Sequence, residues 1–244
     1  MTWTLISATP SPYARKIRIA LQEKNLPFTL QTEVPWDSTT QTPLHNPLEK
    51  LPVLILDDEK KTALYESHYI LDWLETKYPE PALLPKDVDE RLEAKKVEVV
   101  ADGVCDALVL ALFESKREPE KQSKPWMDRY VGTPASRSHL SYFFPPPRLT
   151  STPNSQMRKV AGGLQALNDW VSASKDGKHI LANTLTIADL ATVSLLGFMD
   201  CRWQHYDWKA QYPKLLEYWQ WHEDSRESFR TTKPSPQVFS DAVV

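Results

Sequence analysis

Glu49-Lys-Leu-Pro-Val-Leu-Ile-Leu56, Leu64-Tyr-Glu-Ser-His68 and Ile70-Leu-Asp-Trp-Leu-Glu-Thr-Lys-Tyr78 read in order as strand, strand and helix. Val53 to Leu56 is an apolar run between Pro52 and the Asp57-Asp58 turn signal, the pattern of a short buried strand. Thr62 to Tyr65 pairs with it most simply as a hairpin. Ile70, Leu71, Trp73 and Leu74 then recur at helical spacing, so a helix starts at Ser67 and stops at Tyr78-Pro79. Glu66 and Ser67 therefore stand at a strand-to-helix corner. Free backbone N–H groups and a hydroxyl there suit a carboxylate, and Glu66 suits an ammonium, so the corner fits an amino-acid-like ligand. The plainer reading makes Ser67 an ordinary N-cap and Glu66 a first-turn acid.

Toward the N-terminus, Thr2 to Ile6 alternates as a strand and runs into the loop Ser7-Ala-Thr-Pro-Ser-Pro12. Tyr13 to Lys24 is helical, with Tyr13, Ile17, Ala20 and Leu21 on one face, Pro12 at the first helical position and Asn25 as the stop. Phe28 to Glu33 alternates again. Strand, helix and strand within about 30 residues form a right-handed βαβ unit. Ser11 lies where the helix N–H groups and the positive end of its dipole converge, and Ser7, Thr9 and Tyr13 are rival hydroxyls in the same loop. Arg15, Lys16 and Arg18 read as a solvated face.

Pro52-Val-Leu, the hairpin, Glu66-Ser67 and Ile70-Leu-Asp-Trp-Leu74 together resemble the second half of the thioredoxin-like domain of cytosolic glutathione transferases. Ser11-Pro-Tyr-Ala-Arg-Lys-Ile-Arg-Ile-Ala-Leu21 resembles the Ser-Pro-Phe-x-x-Arg-Val-Arg-Ile-Ala-Leu run of the plant tau class. The resemblance implies an α/β thioredoxin-like N-terminal domain followed by an all-α domain, glutathione as co-substrate, no metal, and a homodimer. It puts the γ-glutamyl group on Glu66 and Ser67, makes Pro52 cis, and uses the Leu51 backbone to hold the cysteinyl part. Lys50 stands in for a lysine that the tau class carries in the preceding loop, and Tyr13 lines the second-substrate pocket. The resemblance makes Ser11 the residue that activates the thiol.

A thiol of pKa about 8.5 is only about 3% ionised at pH 7. Lowering it by about two units takes about 2.7 kcal/mol of preference for the thiolate. One hydrogen bond to the anion supplies roughly 1.5–3 kcal/mol, and a helix terminus about 0.3–1 more. A serine therefore suffices without a general base. Because the loop has no cysteine, the thiolate stays on glutathione and attacks an electrophile, which implies conjugation rather than disulfide chemistry. Glutathione-dependent isomerisation or dehalogenation is an alternative, although the isomerase branch carries Ser-Ser-Cys at this loop. A non-catalytic binding or regulatory module on the same fold is a second.

Pro79-Glu-Pro-Ala-Leu-Leu-Pro85 marks the boundary, giving domains over 1–79 and 87–244 with a linker at 80–86. Asp87 to Ser115 is one long helix, with Leu92, Val99, Val100, Val104, Leu108 and Leu112 expected on its core stripe. Gly103 there costs about 1 kcal/mol against alanine, which suggests a close helix approach or room for a ligand. Glu118 to Tyr130 is a shorter helix, and Gly132 to Ser155 is a proline-rich insertion, read as a surface segment. Gln156 to Ser174 is helical. Thr186-Ile-Ala-Asp189 is a capping box of the kind glutathione transferases carry, structural in role. Tyr212 to Glu223 forms the last helix, before an extended tail.

Composition narrows the function classes. With 29 Lys and Arg against 32 Asp and Glu, and no basic tract, nucleic acid is not expected as a partner. No apolar run reaches membrane-spanning length, and the expected location is the cytoplasm. The two cysteines, Cys105 and Cys201, read as small buried hydrophobes, and the six histidines show no metal spacing.

Overall fold

The computed structural model describes residues 2–123, 155–181 and 183–237. Four short strands, β1 (Trp3–Ser7), β2 (Phe28–Thr32), β3 (Val53–Ile55) and β4 (Ala63–Tyr65), form one sheet in the order β2-β1-β3-β4. β1 and β2 are parallel and the other pairs antiparallel. The helix α1 (Pro12–Glu23) makes the crossover from β1 to β2, and α2 (Ser67–Lys77) follows β4. Leu5 lies opposite Leu54 and Leu54 opposite Leu64, so three leucines share one sheet face. They belong to one buried cluster with Ile17 and Leu21 of α1 and Ile70 and Leu74 of α2. Asn25 ends the first crossover with a positive φ of 54°, the left-handed stop read from the sequence.

Beyond the sheet the described chain is helical: α3 (Val88–Ser115), α4 (Ser155–Ala173), α5 (Ile187–Arg202), then α6 (Trp208–Gln211), α7 (Pro213–Ser225) and α8 (Glu227–Arg230). The N-terminal thioredoxin-like part and the helical part are those expected. α5 is the axis of the second part, buried continuously from Ile187 to Met199. Its start is fixed by Asp189, whose carboxylate accepts from the N–H groups of Thr186 at 2.8 Å and Ile180 at 2.9 Å and from the Tyr218 hydroxyl at 2.8 Å.

The segment between the two parts is clasped. Lys24 Nζ, at the end of α1, donates to the carbonyls of Tyr78 and Pro81 at 2.8 Å each and pairs with Glu75 at 2.7 Å. Glu75 in turn accepts from the N–H groups of Leu83 and Leu84, and the Leu83 carbonyl accepts from Ile187 N–H at 2.9 Å.

Several expectations are corrected. Arg15, Lys16 and Arg18 are not a solvated face: the first two are 0% exposed and Arg18 is 8% exposed. Helix α1 is covered on this side by the helical part, where Arg15 and Lys16 meet carboxylates and Arg18 donates to the Thr231 carbonyl at 3.4 Å. Arg15 pairs with Glu223 at 2.7 Å and donates to the carbonyls of Val193 and Phe229, and Lys16 pairs with Glu98 at 2.7 Å and Asp102 at 2.5 Å. Burial alone would lower the Lys16 pKa, but Asp102 and Glu98 outweigh it and hold the ammonium charged.

On α3, Leu92 and Val99 point to solvent. Val104 and Leu108 are buried as expected, but the stripe continues through Val97 and Ala101, because small and acidic residues carry part of the inner face. Gly103 has no neighbour where a side chain would go; the close approach is at Gly163, where an added Cβ would fall 2.1 Å from Val104 Cγ2. Cys105 is buried as expected, but Cys201 is only partly covered. The helix expected from Glu118 shows a single 3-10 turn at Pro119–Lys121 before Ser123, and its remainder lies outside the described residues, as does the proline-rich segment up to residue 154. The helix that includes Tyr218 is not the last, since Glu227–Arg230 follows.

Removing one partner from a buried ion pair leaves the other charge stranded. Lys16→Met should cost about 3–5 kcal/mol in urea denaturation. Adding Glu98→Gln and Asp102→Asn to that variant should restore part of the loss. A single-variant loss below about 1 kcal/mol would show the buried carboxylates to be satisfied without Lys16.

Candidate functional site

The C-terminal end of β1, the start of α1, the β3 approach and the β4-to-α2 corner all open on one cavity of about 720 Å³ against α3 and α5. Ser11, Tyr13, Lys50, Leu51, Pro52, Glu66 and Ser67, the seven positions singled out in the sequence, all line it.

Ser11 is the N-cap of α1, with extended backbone (φ −68°, ψ 119°) and its Oγ accepting from Ala14 N–H at 3.2 Å. That bond uses a lone pair and leaves the hydroxyl proton unassigned. The rival hydroxyls differ: Ser7 is buried and donates to the Ala8 carbonyl, Thr9 donates to the Ser235 carbonyl, and the Tyr13 hydroxyl donates to Asp106 Oδ1. Burial, with Cys105 and Asp106 nearby, pushes the Tyr13 phenol well above its usual range, so it stays protonated.

At the second corner the N-cap is Glu66, not Ser67. Its backbone is left-handed (φ 73°, ψ 122°) and its carboxylate accepts from the N–H groups of His68 at 3.0 Å and Tyr69 at 3.2 Å. A non-glycine residue held there is strained, and such strain concentrates at sites that bind or react. Ser67 occupies the first helical position, buried beside it. The Leu51-Pro52 bond is cis. The turn before it is set by buried Asn46, whose amide donates to the Lys50 carbonyl at 2.8 Å and whose Oδ1 accepts from Leu48 N–H at 2.9 Å.

Sequence reading missed His68, Glu98, Asp102 and Asp106. His68 Nε2 lies 2.8 Å from Asp102 and Nδ1 lies 3.2 Å from Glu98, the same two carboxylates that hold Lys16. Hydrogen bonds to Asp102 and then Glu98 raise the imidazole to about 10, so it is a cation at neutral pH. Burial would raise Glu98, but His68 and Lys16 hold it down at about 2. His68, Glu98 and Asp102 could together ligate a cation. Lys16 Nζ already bridges both carboxylates, so an ammonium supplies that charge. The available signal was the acidic ladder Glu98, Asp102, Asp106, spaced four apart along one helix face.

A thioredoxin-like sheet with a cis-proline edge and a strained acid-serine corner, backed by a helical domain, defines the class of two-domain transferases that hold a thiol peptide at that edge. Residues 5–82 match the glutathione S-transferase N-terminal domain family. Over its whole length the chain is similar to a glutathione S-transferase from Methylobacterium radiotolerans JCM 2831 in complex with glutathione sulfonate: 42% identity, 100% of both chains, TM-score 0.81. It is also similar to a glutathione S-transferase from Methylobacillus flagellatus KT with glutathione bound, at 30% identity over 96% of this chain and 100% of that one, TM-score 0.78. Glutathione S-transferase U1 of Arabidopsis thaliana is 34% identical over 121 residues, 48% of this chain and 50% of that protein. The chain belongs to the glutathione S-transferase family.

The His68 pairing has a defined pH signature. A histidine raised from 6.5 to about 10 adds stability that is fully present below pH 6.5 and is lost as pH climbs toward 10. The denaturation midpoint of wild type should therefore exceed that of His68→Gln most at pH 6, and the gap should close by about pH 10. A gap that widens with pH would contradict the charge assignment.

Proposed function

We propose that the protein is a glutathione transferase whose Ser11 hydroxyl donates a hydrogen bond to the glutathione thiolate, which attacks small hydrophobic electrophiles. The observation that carries this reading is the Ser11 hydroxyl proton, uncommitted in a loop whose other hydroxyls are spent, on the cavity that also contains the Glu66-Ser67 corner. In this reading the γ-glutamyl carboxylate meets Ser67 and the α2 N-terminus, and the ammonium meets Glu66. The Leu51 backbone before Pro52 aligns the cysteinyl unit, and Lys50 takes the glycyl carboxylate. Tyr13, held by Asp106, walls the second-substrate side. The bound glutathione and glutathione sulfonate of the related bacterial enzymes support the choice of ligand.

The reaction is a nucleophilic substitution or addition. The anionic sulfur forms a bond to the electrophilic carbon, and the leaving group departs with its electron pair or a proton is taken up from water. The thiol proton is released on binding, so no side chain needs to act as a base.

A homodimer fits an unpartnered face where α2 and α3 run side by side. Lys95 pairs with Asp72 there, and one turn away on either side Tyr69 and Val99 are 53% and 60% exposed. Leu92, two turns before Val99, is 59% exposed on the same stripe. A cytoplasmic location agrees with two cysteines that form no disulfide.

Ser11→Ala should lower kcat/KM with chloro-dinitrobenzene by about a hundredfold and raise the pKa of bound glutathione by about two units, read by ultraviolet thiolate absorbance. Glutathione affinity should be largely kept, and stability should fall by about 1 kcal/mol from the lost cap. Wild-type turnover in this variant would remove Ser11 from the mechanism. Val99→Arg should shift the sedimentation coefficient from dimer to monomer; no change would place the subunit contact elsewhere.

A further inference from the structure

Helix α3 presents a graded wall to the cavity. Asp102 and Asp106 lie at the end nearest α2, Val109 and Phe113 follow, and Lys116 closes the far end, about 21 Å from Asp102 at 1.5 Å per residue. Arg202 enters the same cavity from the end of α5, one turn after Phe198. Asp106, the acid next to the apolar stretch, is occupied by the Tyr13 hydroxyl. Among the described residues neither Lys116 nor Arg202 has a carboxylate partner; Lys116 Nζ lies only over the Phe113 ring, 6.0 Å from its centroid.

Each cation ends a helix, and helix C-termini favour cations. Each terminus carries only about half a negative charge, however, so two termini and two full positive charges leave about one unit of positive charge. That excess lies next to the apolar stretch formed by Val109, Phe113 and Phe198.

We propose, resting on the transferase reading above, that the second substrate is an amphipathic electrophile with an apolar body and a carboxylate. The body lies along Val109, Phe113 and Phe198, and the carboxylate is held by Arg202 and Lys116. The opposite end, beside the Glu66-Ser67 corner, is left for glutathione. In the test reaction the glutathione sulfur attacks the chlorine-bearing ring carbon of 4-chloro-3-nitrobenzoate. The C–S bond forms, the C–Cl bond breaks, chloride leaves with the bonding pair, and the thiol proton passes to solvent.

The test compares this benzoate with its neutral methyl ester, each rate divided by its uncatalysed rate with glutathione. Wild type should favour the benzoate, and Arg202→Gln or Lys116→Gln should lower kcat/KM for it by about tenfold or more while leaving the ester unchanged. Equal normalised rates, or a preference for the ester, would overturn the proposal. A rise in glutathione KM with both probes would also overturn it, since the cations would then be holding the glycyl carboxylate.

Calorimetry on the two pre-formed conjugates separates this inference from the reading beneath it. Tighter binding of the carboxylate conjugate, weakened by Arg202→Gln, supports the anion site even if neither probe is turned over, in which case only the transferase reading fails. Equal binding of both conjugates by an active enzyme removes the anion site and leaves the transferase reading standing.

Discussion

Two cations of one helix, buried without contact to water, hold the two halves of the molecule in register. Arg15 and Lys16 are adjacent in sequence and so leave α1 in different directions. One reaches Glu223 and the carbonyls of Val193 on α5 and Phe229 on α8, the other Glu98 and Asp102 on α3. A buried charge without a partner is so costly that the helical part can sit only where both sets of acceptors meet α1. Hydrophobic contact between α1 and α5 supplies adhesion but little direction; the ion pairs give the interface its register. Gly197 is part of the same requirement, because a Cβ there would fall 2.2 Å from the Arg15 guanidinium.

The cavity follows from this docking. α1 begins at the loop that carries Ser11, one turn before Lys16, so fixing the helix against α3 also fixes the distance between Ser11 and the opposite wall. Lys16 and His68 share two carboxylates, which ties the start of α1 to the start of α2 through a third element. Both helix N-termini, with their caps Ser11 and Glu66, are thereby held toward one space. Two cations and two carboxylates cancel, so this rigid floor adds little net field to the ligand space above it.

The sequence was informative where the signals are local. The apolar run at Val53 to Ile55, the helix spacing after Ser67 and the Thr186-Asp189 box each depend on neighbours within a few residues, and each element formed within a residue or two of its expected bounds. Residues 11, 13, 50, 51, 52, 66 and 67 come together because the βαβ and hairpin connections bring those loops to one sheet edge. The failures concern partners far along the chain. Arg15 and Lys16 look solvated within their own helix, and their acceptors lie 208 and 82 residues away. Leu92 and Val99 satisfy a helical period, yet the period cannot say which stripe faces the protein. On α3 the inner stripe had been diluted by Glu98 and Asp102, the acids that receive Lys16.

The capping bond on Ser11 bears on how a serine would serve in the proposed mechanism. A hydroxyl has two lone pairs and one proton, and a free loop serine would spend that proton on the nearest carbonyl, as Ser7 does with Ala8. By accepting from Ala14 N–H, Ser11 commits a lone pair to the helix and keeps its proton for another acceptor. The same bond couples the hydroxyl to the helix: the N–H it satisfies belongs to the first turn, where Pro12 has no N–H and the Tyr13 N–H and the helix dipole also favour an anion. In the proposed mechanism helix capping and anion stabilisation are the two sides of one oxygen, a donor positioned by an interaction the helix already needs for stability.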